Sequence, residues 1–387
     1  MQKILIISTK NLLSNQFEGA QKRIFDISKS LSKKNKVDLV CLGESLSKKK
    51  SGLNFLNRVE VFKTSFIFKI INALIFALKL QPMQNGYFFS KDMNNFVSEN
   101  KENYDVIIFH LIRSAQYLPD EFRGKAILEM TDLISYNYSQ IIKKISSLNP
   151  LKYIYLFENF LLKRYEKKVS DFFDKIVFIS KKELSLAKEI VDEKKIFIIG
   201  SSFEVKKKIF VYKKSNYKIL FLGNISYFPN KLACYNFATK TLPGLRKKYP
   251  NIELNIVGKI NMIDKLFLNR FSNVKIHGPI VKIDRIIKDS ICGICNLEVA
   301  TGLQMKIFTY MAYGLPVVVS QKAFPTSALK KNRDALVYTD QNDLILQISR
   351  LTKNKKLSNK ISKNSHKFIK NKFKLYKIYK DYINLVK

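Results

Sequence analysis

The chain has 387 residues, 46% of them hydrophobic, with 13 Gly and 9 Pro, so it is long enough for two domains with full cores and is not a disordered polypeptide. Four Cys in this length do not make a disulfide framework. The net charge of +38 comes from 69 basic residues, 59 of them Lys, against 31 acidic ones. It fits either a Lys-rich composition bias or attraction to an anionic membrane surface, and the second is taken forward. Nucleic acid is not an expected partner, because no recognisable nucleic-acid module occurs and the Lys excess runs the length of the chain.

Residues 1–8 read as a first strand, over 3–8, and are too short an apolar run for a secretory core. With the Cys usage, this sets the expectation of a reducing, cytoplasmic setting. Gly19 opens a helix with Ile24, Ile27 and Leu31 on one face. Strands follow over 37–42, 104–110, 125–130 and 175–180. Continuous apolar runs separated by helical patterns indicate parallel strands covered on both faces. Residues 65–80 stand apart as an apolar stretch interrupted by Lys69, Asn72 and Lys79. That is too short to span a bilayer, which takes about 20 apolar residues. It reads either as an interfacial helix with Lys at its edges or as a core helix packed on the sheet, and the core helix is preferred.

The second half restarts the alternation, with strands over 218–223, 253–258, 274–278, 293–297 and 316–320. Helical patterns cover 231–249, 283–289, 303–313 and 343–352, and a Lys-rich helical tail runs over 354–387. The join is the polar, basic segment 200–217. The fold class is therefore α/β, with two doubly wound, Rossmann-like domains facing a cleft, over 1–200 and 217–353. Ligands of such sheets sit beyond the carboxyl ends of the strands.

The most informative stretch runs from Gly302 to Val318. A glycine turn opens a helical pattern, Gly314 ends it, and Pro316 leads into a buried strand. The free N–H groups and positive dipole end of such a helix suit a phosphate. Upstream lie Phe221-Leu222-Gly223-Asn224 with Tyr227 and Pro229-Asn230, then Leu242-Pro243 and Ile256-Val257-Gly258. The first half adds Gln81-Pro82-Met83-Gln84, Tyr87-Phe88, the His110-Leu111-Ile112-Arg113 turn with Tyr117, and Asp132-Leu133-Ile134-Ser135. In order and spacing these residues resemble the family 4 glycosyltransferases of GT-B fold, in particular the bacterial branch that builds capsular and exopolysaccharides.

The resemblance implies retaining, metal-independent transfer of a sugar from a nucleotide-sugar donor to a glycan acceptor, expected to be lipid-linked. It also implies a donor-binding second domain, an acceptor-binding first domain, and C-terminal helices over 354–387 that cross back to the first. The protein would then sit peripherally at the inner face of the cytoplasmic membrane. No cofactor and no metal are expected, since no Asp-x-Asp occurs and Cys292 and Cys295 read as small core residues.

Without a metal, the leaving nucleoside diphosphate needs helix N–H groups and cations. On the donor side, Gly302 and the neighbouring Leu303 let the backbone approach, and Gln304 can bond a phosphate or the sugar. Lys306 either faces the pyrophosphate or is a solvated helix lysine. Gly223 lies at a strand-to-loop turn. Asn224 and Asn230 stand where many family members carry Arg and Lys, with Lys231 next along as a substitute charge. Thr301 and Thr309 stand at the family's paired glutamates, and a Thr hydrogen-bonds without charge. This departure motivates an alternative, a catalytically degenerate glycan- or partner-binding protein; Glu298 is a substitute for the first glutamate. In the first domain, Gly19 and Arg23 stand where the family approaches the donor phosphates, and Arg113 follows a strand end. Asp132 is the candidate to orient the acceptor hydroxyl or take its proton, with Glu129 the next. His110 is the second catalytic candidate, against the reading of a satisfied core histidine.

Overall fold

The computed structural model describes residues 1–12, 19–43, 52–201, 203, 205, 210–215, 217–279, 283–300, 304–325, 329–372 and 375–387. Two compact units divide the chain. One comprises Met1–Ser202 with Leu375–Lys387, the other Phe203–Lys374.

The first unit is built on seven strands: β1 (Lys3–Ser8), β2 (Lys36–Leu42), β3 (Arg58–Phe62), β4 (Val106–His110), β5 (Lys125–Thr131), β6 (Lys175–Phe178) and β7 (Ile196–Ile198). They pair in parallel in the order β3-β2-β1-β4-β5-β6-β7. Alternate residues of β1 enter two different cores. Ile4 and Ile6 pack with Ile24, Ile27 and Leu31 of the helix Gly19–Leu31, and with Tyr382, Leu385 and Val386 of the helix Leu375–Val386. Leu5 and Ile7 pack on the other face with Met93, Val97, Phe109 and Phe173. A strand buried on both faces needs the unbroken apolar run seen here.

The second unit has six strands: β8 (Lys218–Leu222), β9 (Glu253–Val257), β10 (Val274–Ile276), β11 (Ser290–Cys295), β12 (Val317–Ser320) and β13 (Leu336–Tyr338). Their order is β10-β9-β8-β11-β12-β13, again parallel. In both sheets the winding reverses beside the first strand, between β1 and β4 and between β8 and β11. The carboxyl ends at such a reversal are where open α/β sheets bind ligands. The helices Gln341–Lys353 and Lys355–Lys372 belong to this unit.

Two expectations are corrected. The single helix over 231–249 is three pieces, Phe228–Asn236, a π-helical turn Phe237–Thr241, and Leu242–Arg246. Pro243 has no N–H, and its ring would crowd the carbonyl four residues back, so the backbone widens there. The stretch 65–80 forms the helix Phe66–Leu78, capped by Ser65, but it is not a core helix: only Ala73 is buried. It rests on the short helix Met83–Tyr87, where a Cβ on Gly86 would lie 2.2 Å from the Asn72 carbonyl oxygen, and the Phe76 and Phe89 rings lie 5.7 Å apart.

Candidate functional site

In the second unit, the carboxyl ends of β8 and β9 are drawn together by two glycines. Gly223 and Gly258 both have left-handed backbone, with φ of 155° and 146°. A Cβ on Gly258 would stand 1.9 Å from the Gly223 carbonyl oxygen, and one on Gly223 would stand 2.9 Å from Asn230 Nδ2. Asn230 is buried on the first turn of the helix Phe228–Asn236. Its Nδ2 donates to the Asn224 carbonyl (2.9 Å), and its Oδ1 accepts from Lys306 Nζ (2.6 Å). The Asn224 side chain closes the turn by accepting from the Ser226 N–H at 3.0 Å. One amide thus joins the Gly223 turn to the Lys306 ammonium.

Lys306 comes from the helix Met305–Ala312, whose N-cap is Gln304. The helix is anchored one turn on by Tyr310, which is wholly buried. Its hydroxyl accepts from the Leu222 N–H (2.7 Å) and donates to the Ile294 carbonyl (3.3 Å), tying the helix to β8 and β11. The helix stops where the Gly314 N–H bonds the Met311 carbonyl and the Leu315 N–H bonds the Tyr310 carbonyl. Lys306 Nζ lies 4.0 Å from the Phe221 ring centroid, a cation–π distance. Among the described residues no carboxylate pairs with it. Burial lowers its pKa, and only the Cys295 and Cys234 thiols act the other way. The ammonium is therefore half-buried with a neutral amide and an aromatic face as its partners, which leaves its charge uncompensated.

The remaining donor-side candidates divide. Thr309 Oγ1 bonds back to the Met305 carbonyl at 3.0 Å, and Glu298 accepts from Asn236 Nδ2 at 2.6 Å. Thr301, Gly302 and Leu303 lie outside the described residues. Lys231 does not supply a spare charge: its ammonium pairs with the buried Asp264 at 2.7 Å. Asp264 also accepts from the Tyr235 hydroxyl (2.7 Å) and Asn261 Nδ2 (2.7 Å). Burial raises the Asp264 pKa, but these bonds outweigh it, the Lys231 bond first, and the net shift is downward. An acid so well satisfied holds the lysine in place.

In the first unit, strand register sets Ser8 beside His110 and His110 beside Glu129 across β1, β4 and β5. Ser8 Oγ and His110 Nδ1 are 3.1 Å apart, while His110 Nε2 has no partner among the described residues. The ring is wholly buried. That burial, with the positive charges of Arg23, Arg113 and Lys10, pulls its pKa to about 3. His110 is consequently neutral at physiological pH, which favours a hydrogen-bonding role for it over that of a base.

Arg23 is also reassigned. Its Nε bonds Glu129 Oε1 at 2.7 Å. Nη1 donates to the Gly200 carbonyl (3.0 Å) and Ser201 Oγ (3.3 Å), and Nη2 donates to the Ile199 carbonyl (2.8 Å) and the Tyr382 hydroxyl (3.1 Å). A guanidinium has five donors, and all five are spent, so none remains for a phosphate. The Tyr382 hydroxyl donates in turn to Glu129 Oε2, which likewise removes Glu129 from the acceptor candidates. Gly19 is the exposed first residue of its helix, and the residues before it lie outside the described set.

The residues that do collect at the ends of β4 and β5 are His110, Arg113 and Asp132. The Arg113 guanidinium stacks on Phe88 at 4.4 Å. Asp132 is half-buried, and its N–H turns back to the Met130 carbonyl at 2.9 Å. Two strained positions flank them. Leu111, directly after β4, has φ 70°, and Thr131, the last residue of β5, has φ 65°. Such backbone costs about 1–3 kcal/mol per residue, persists where the surroundings enforce it, and clusters at functional sites. Sequence reasoning missed Leu111 and Thr131 because neither is a residue type that signals positive φ. It missed Tyr310 and Asp264 because their roles depend on partners distant in sequence.

Comparison with known proteins bears on both units. The family model described as "Glycosyl transferases group 1" matches residues 216–354, and no curated protein matches. Among solved structures, HepE from Anabaena in complex with UDP and glucose aligns at a TM-score of 0.72 and 12% identity, over 100% of this chain and 99% of its own. A mutant of S. aureus TarM in complex with fondaparinux, α-GlcNAc-glycerol and UDP aligns at 0.71 and 11% identity, over 100% of both chains. Sucrose-phosphate synthase from Thermosynechococcus elongatus aligns at 0.71 and 14% identity, over 100% of this chain and 98% of its own. The chain has the GT-B fold of these structures, and the match to the group 1 glycosyltransferase model lies within its second unit.

Proposed function

We propose that the chain is a retaining, metal-independent glycosyltransferase that moves a sugar from a nucleotide-sugar donor to a lipid-linked glycan in surface polysaccharide biosynthesis, working peripherally at the inner face of the cytoplasmic membrane. The observation that carries the donor side is the Lys306 ammonium, held by Asn230 at the Gly223 turn with no carboxylate among the described residues. An uncompensated cation beside close-packed glycine backbone suits a diphosphate, whose charge grows as the glycosidic bond breaks. Lys306 would stabilise that charge, and Asn230 would keep the ammonium aimed at the turn. The UDP complexes of HepE and TarM support a uridine nucleotide as the first donor to try. On the acceptor side, Asp132 would orient the attacking hydroxyl, while neutral His110 offers a hydrogen bond and Arg113 a cation.

The test is donor binding by thermal shift, with UDP- and GDP-sugars and no added metal, followed by release of free nucleotide. A donor that prefers the folded state raises Tm. Lys306→Met keeps an apolar stem over Phe221 and removes the charge. A hydrogen bond to a charged group contributes about 1.5–3 kcal/mol, so donor affinity should fall about 10- to 100-fold. Basal Tm should hold or rise, because an uncompensated charge has left a half-buried place. An unchanged donor shift in Lys306→Met would remove this lysine from the site. Failure of every nucleotide sugar to shift or turn over the native chain would overturn the enzyme reading in favour of a binding protein.

A further inference from the structure

We propose that the helix Phe66–Leu78 and the N-terminal half of the helix Leu151–Ser170 form one face that docks on an anionic lipid bilayer. The inference rests on the reading above only for the lipid-borne acceptor; its evidence is separate from the donor site. Of the 25 large hydrophobic side chains exposed among the described residues, 16 lie in 66–80 and 148–160. Leu78 is 85% exposed, Ile67 69%, Leu148 95% and Tyr153 62%. Exposed apolar residues scattered singly are ordinary, but a contiguous concentration marks an interaction surface.

The two segments are neighbours. The helix Phe66–Leu78 rests on the helix Met83–Tyr87, whose N-terminal amides of Met83 and Gln84 donate to Glu158 of the helix Leu151–Ser170 at 2.7 and 3.1 Å. Neither helix can cross a bilayer: among the described residues none is long and apolar enough. An apolar helix surface with cationic flanks instead lies in the headgroup region.

Charge selects the occupant. Residues 61–91 contain no Asp or Glu, and 133–168 contain only Glu158 and Glu166. Both are buried and bonded, Glu158 to Met83 and Gln84, and Glu166 to the Ser135 N–H at 3.1 Å. The same stretches expose Lys63, Lys79, Lys143, Lys144, Lys163 and Lys167. Along the helix Leu151–Ser170 the solvent face changes character, from Leu151, Ile154, Phe157 and Phe160 to Lys163, Arg164, Lys167 and Lys168. A surface apolar at one end and purely cationic at the other matches the layering of acyl chains beneath anionic headgroups. A second copy of this chain would instead set these lysines against one another.

The test is flotation with phosphatidylcholine vesicles with and without phosphatidylglycerol, at low and high salt. The native chain should float with phosphatidylglycerol vesicles and be released by salt. Phe68→Glu/Leu74→Glu should lose at least tenfold in vesicle affinity, and Lys163→Glu/Lys167→Glu should lose the preference for phosphatidylglycerol. All four side chains are exposed, so basal Tm and the donor-induced shift should hold in both variants. No flotation of the native chain, or undiminished flotation of Phe68→Glu/Leu74→Glu, would overturn the proposal. So would a dimer in solution that this variant dissociates, because the face would then be covered by a second copy. Vesicle binding without donor binding would sink the enzyme reading and leave the docking face standing.

Discussion

At the scale of single residues, His110 has the clearest consequence. Its folded pKa of about 3 lies below the ordinary 6.5 because burial disfavours the imidazolium and the nearby cations repel it. The unfolded chain therefore binds this proton first as pH falls. Stability from His110 is fully present above pH 6.5 and is lost progressively toward pH 3. The slope for one such proton is about 1.4 kcal/mol per pH unit. Tm should thus fall as pH drops from 7 to 5, and His110→Gln, which cannot titrate, should flatten that fall. Equal acid sensitivity in the two proteins would show that His110 is not held neutral as its burial requires. In activity, His110→Gln should keep part of the turnover, since it can still donate or accept a hydrogen bond, whereas Asp132→Asn should lose most of it. Loss in His110→Gln equal to that in Asp132→Asn would restore the imidazole as a proton acceptor.

At the scale of elements, the position of Lys306 is set by the way its helix is tied to the sheet. Gly293 of β11 lies under the Tyr310 ring, where an added Cβ would come 2.4 Å from ring atoms. The ring cannot simply move, because its hydroxyl bridges Leu222 of β8 and Ile294 of β11. Gly293→Ala should therefore cost on the order of 3 kcal/mol, at the upper end for overpacking a core. It should also weaken donor binding through displaced Lys306; a lowered Tm with undiminished donor affinity would separate the anchor from the site. This anchor also marks what the sequence could reveal. The central strands were legible because each is an unbroken apolar run, and the helix around Lys306 was legible from its glycine boundary. The strands β3 and β7 were not, because they are short edge strands of partial burial. Arg23 and Lys231 read as free cations because sequence cannot show that Glu129 and Asp264 fold against them from 106 and 33 positions away. The helix Phe66–Leu78 was misjudged because an apolar helix on an exposed surface and one in a core share the same composition.

At the scale of the whole molecule, the chain leaves the first unit at Ser202 and returns to it at Leu375. The returning helix Leu375–Val386 completes the first unit. Tyr382, Leu385 and Val386 are buried in the core beneath β1. Lys175 Nζ donates to the Leu385 carbonyl (2.6 Å), and Gln2 Nε2 donates to the Val386 carbonyl (3.2 Å). Tyr382 also closes the buried Arg23–Glu129 pair. Removing 375–387 would therefore open one face of the first sheet and admit water to an ion pair that is otherwise dry. Deleting a single large buried side chain costs about 2–5 kcal/mol, a large share of the 5–15 kcal/mol by which domains are stable. The second unit has its own sheet, its own core and the Lys306 cluster. Calorimetry of the chain ending at residue 374 should show the first unit's transition lowered or absent, while one transition persists that still rises with a nucleotide sugar. If the truncated chain keeps every transition of the full-length protein, the helix is an ornament on the first unit. If all transitions vanish together, the two units fold as one cooperative body and do not stand as independent domains.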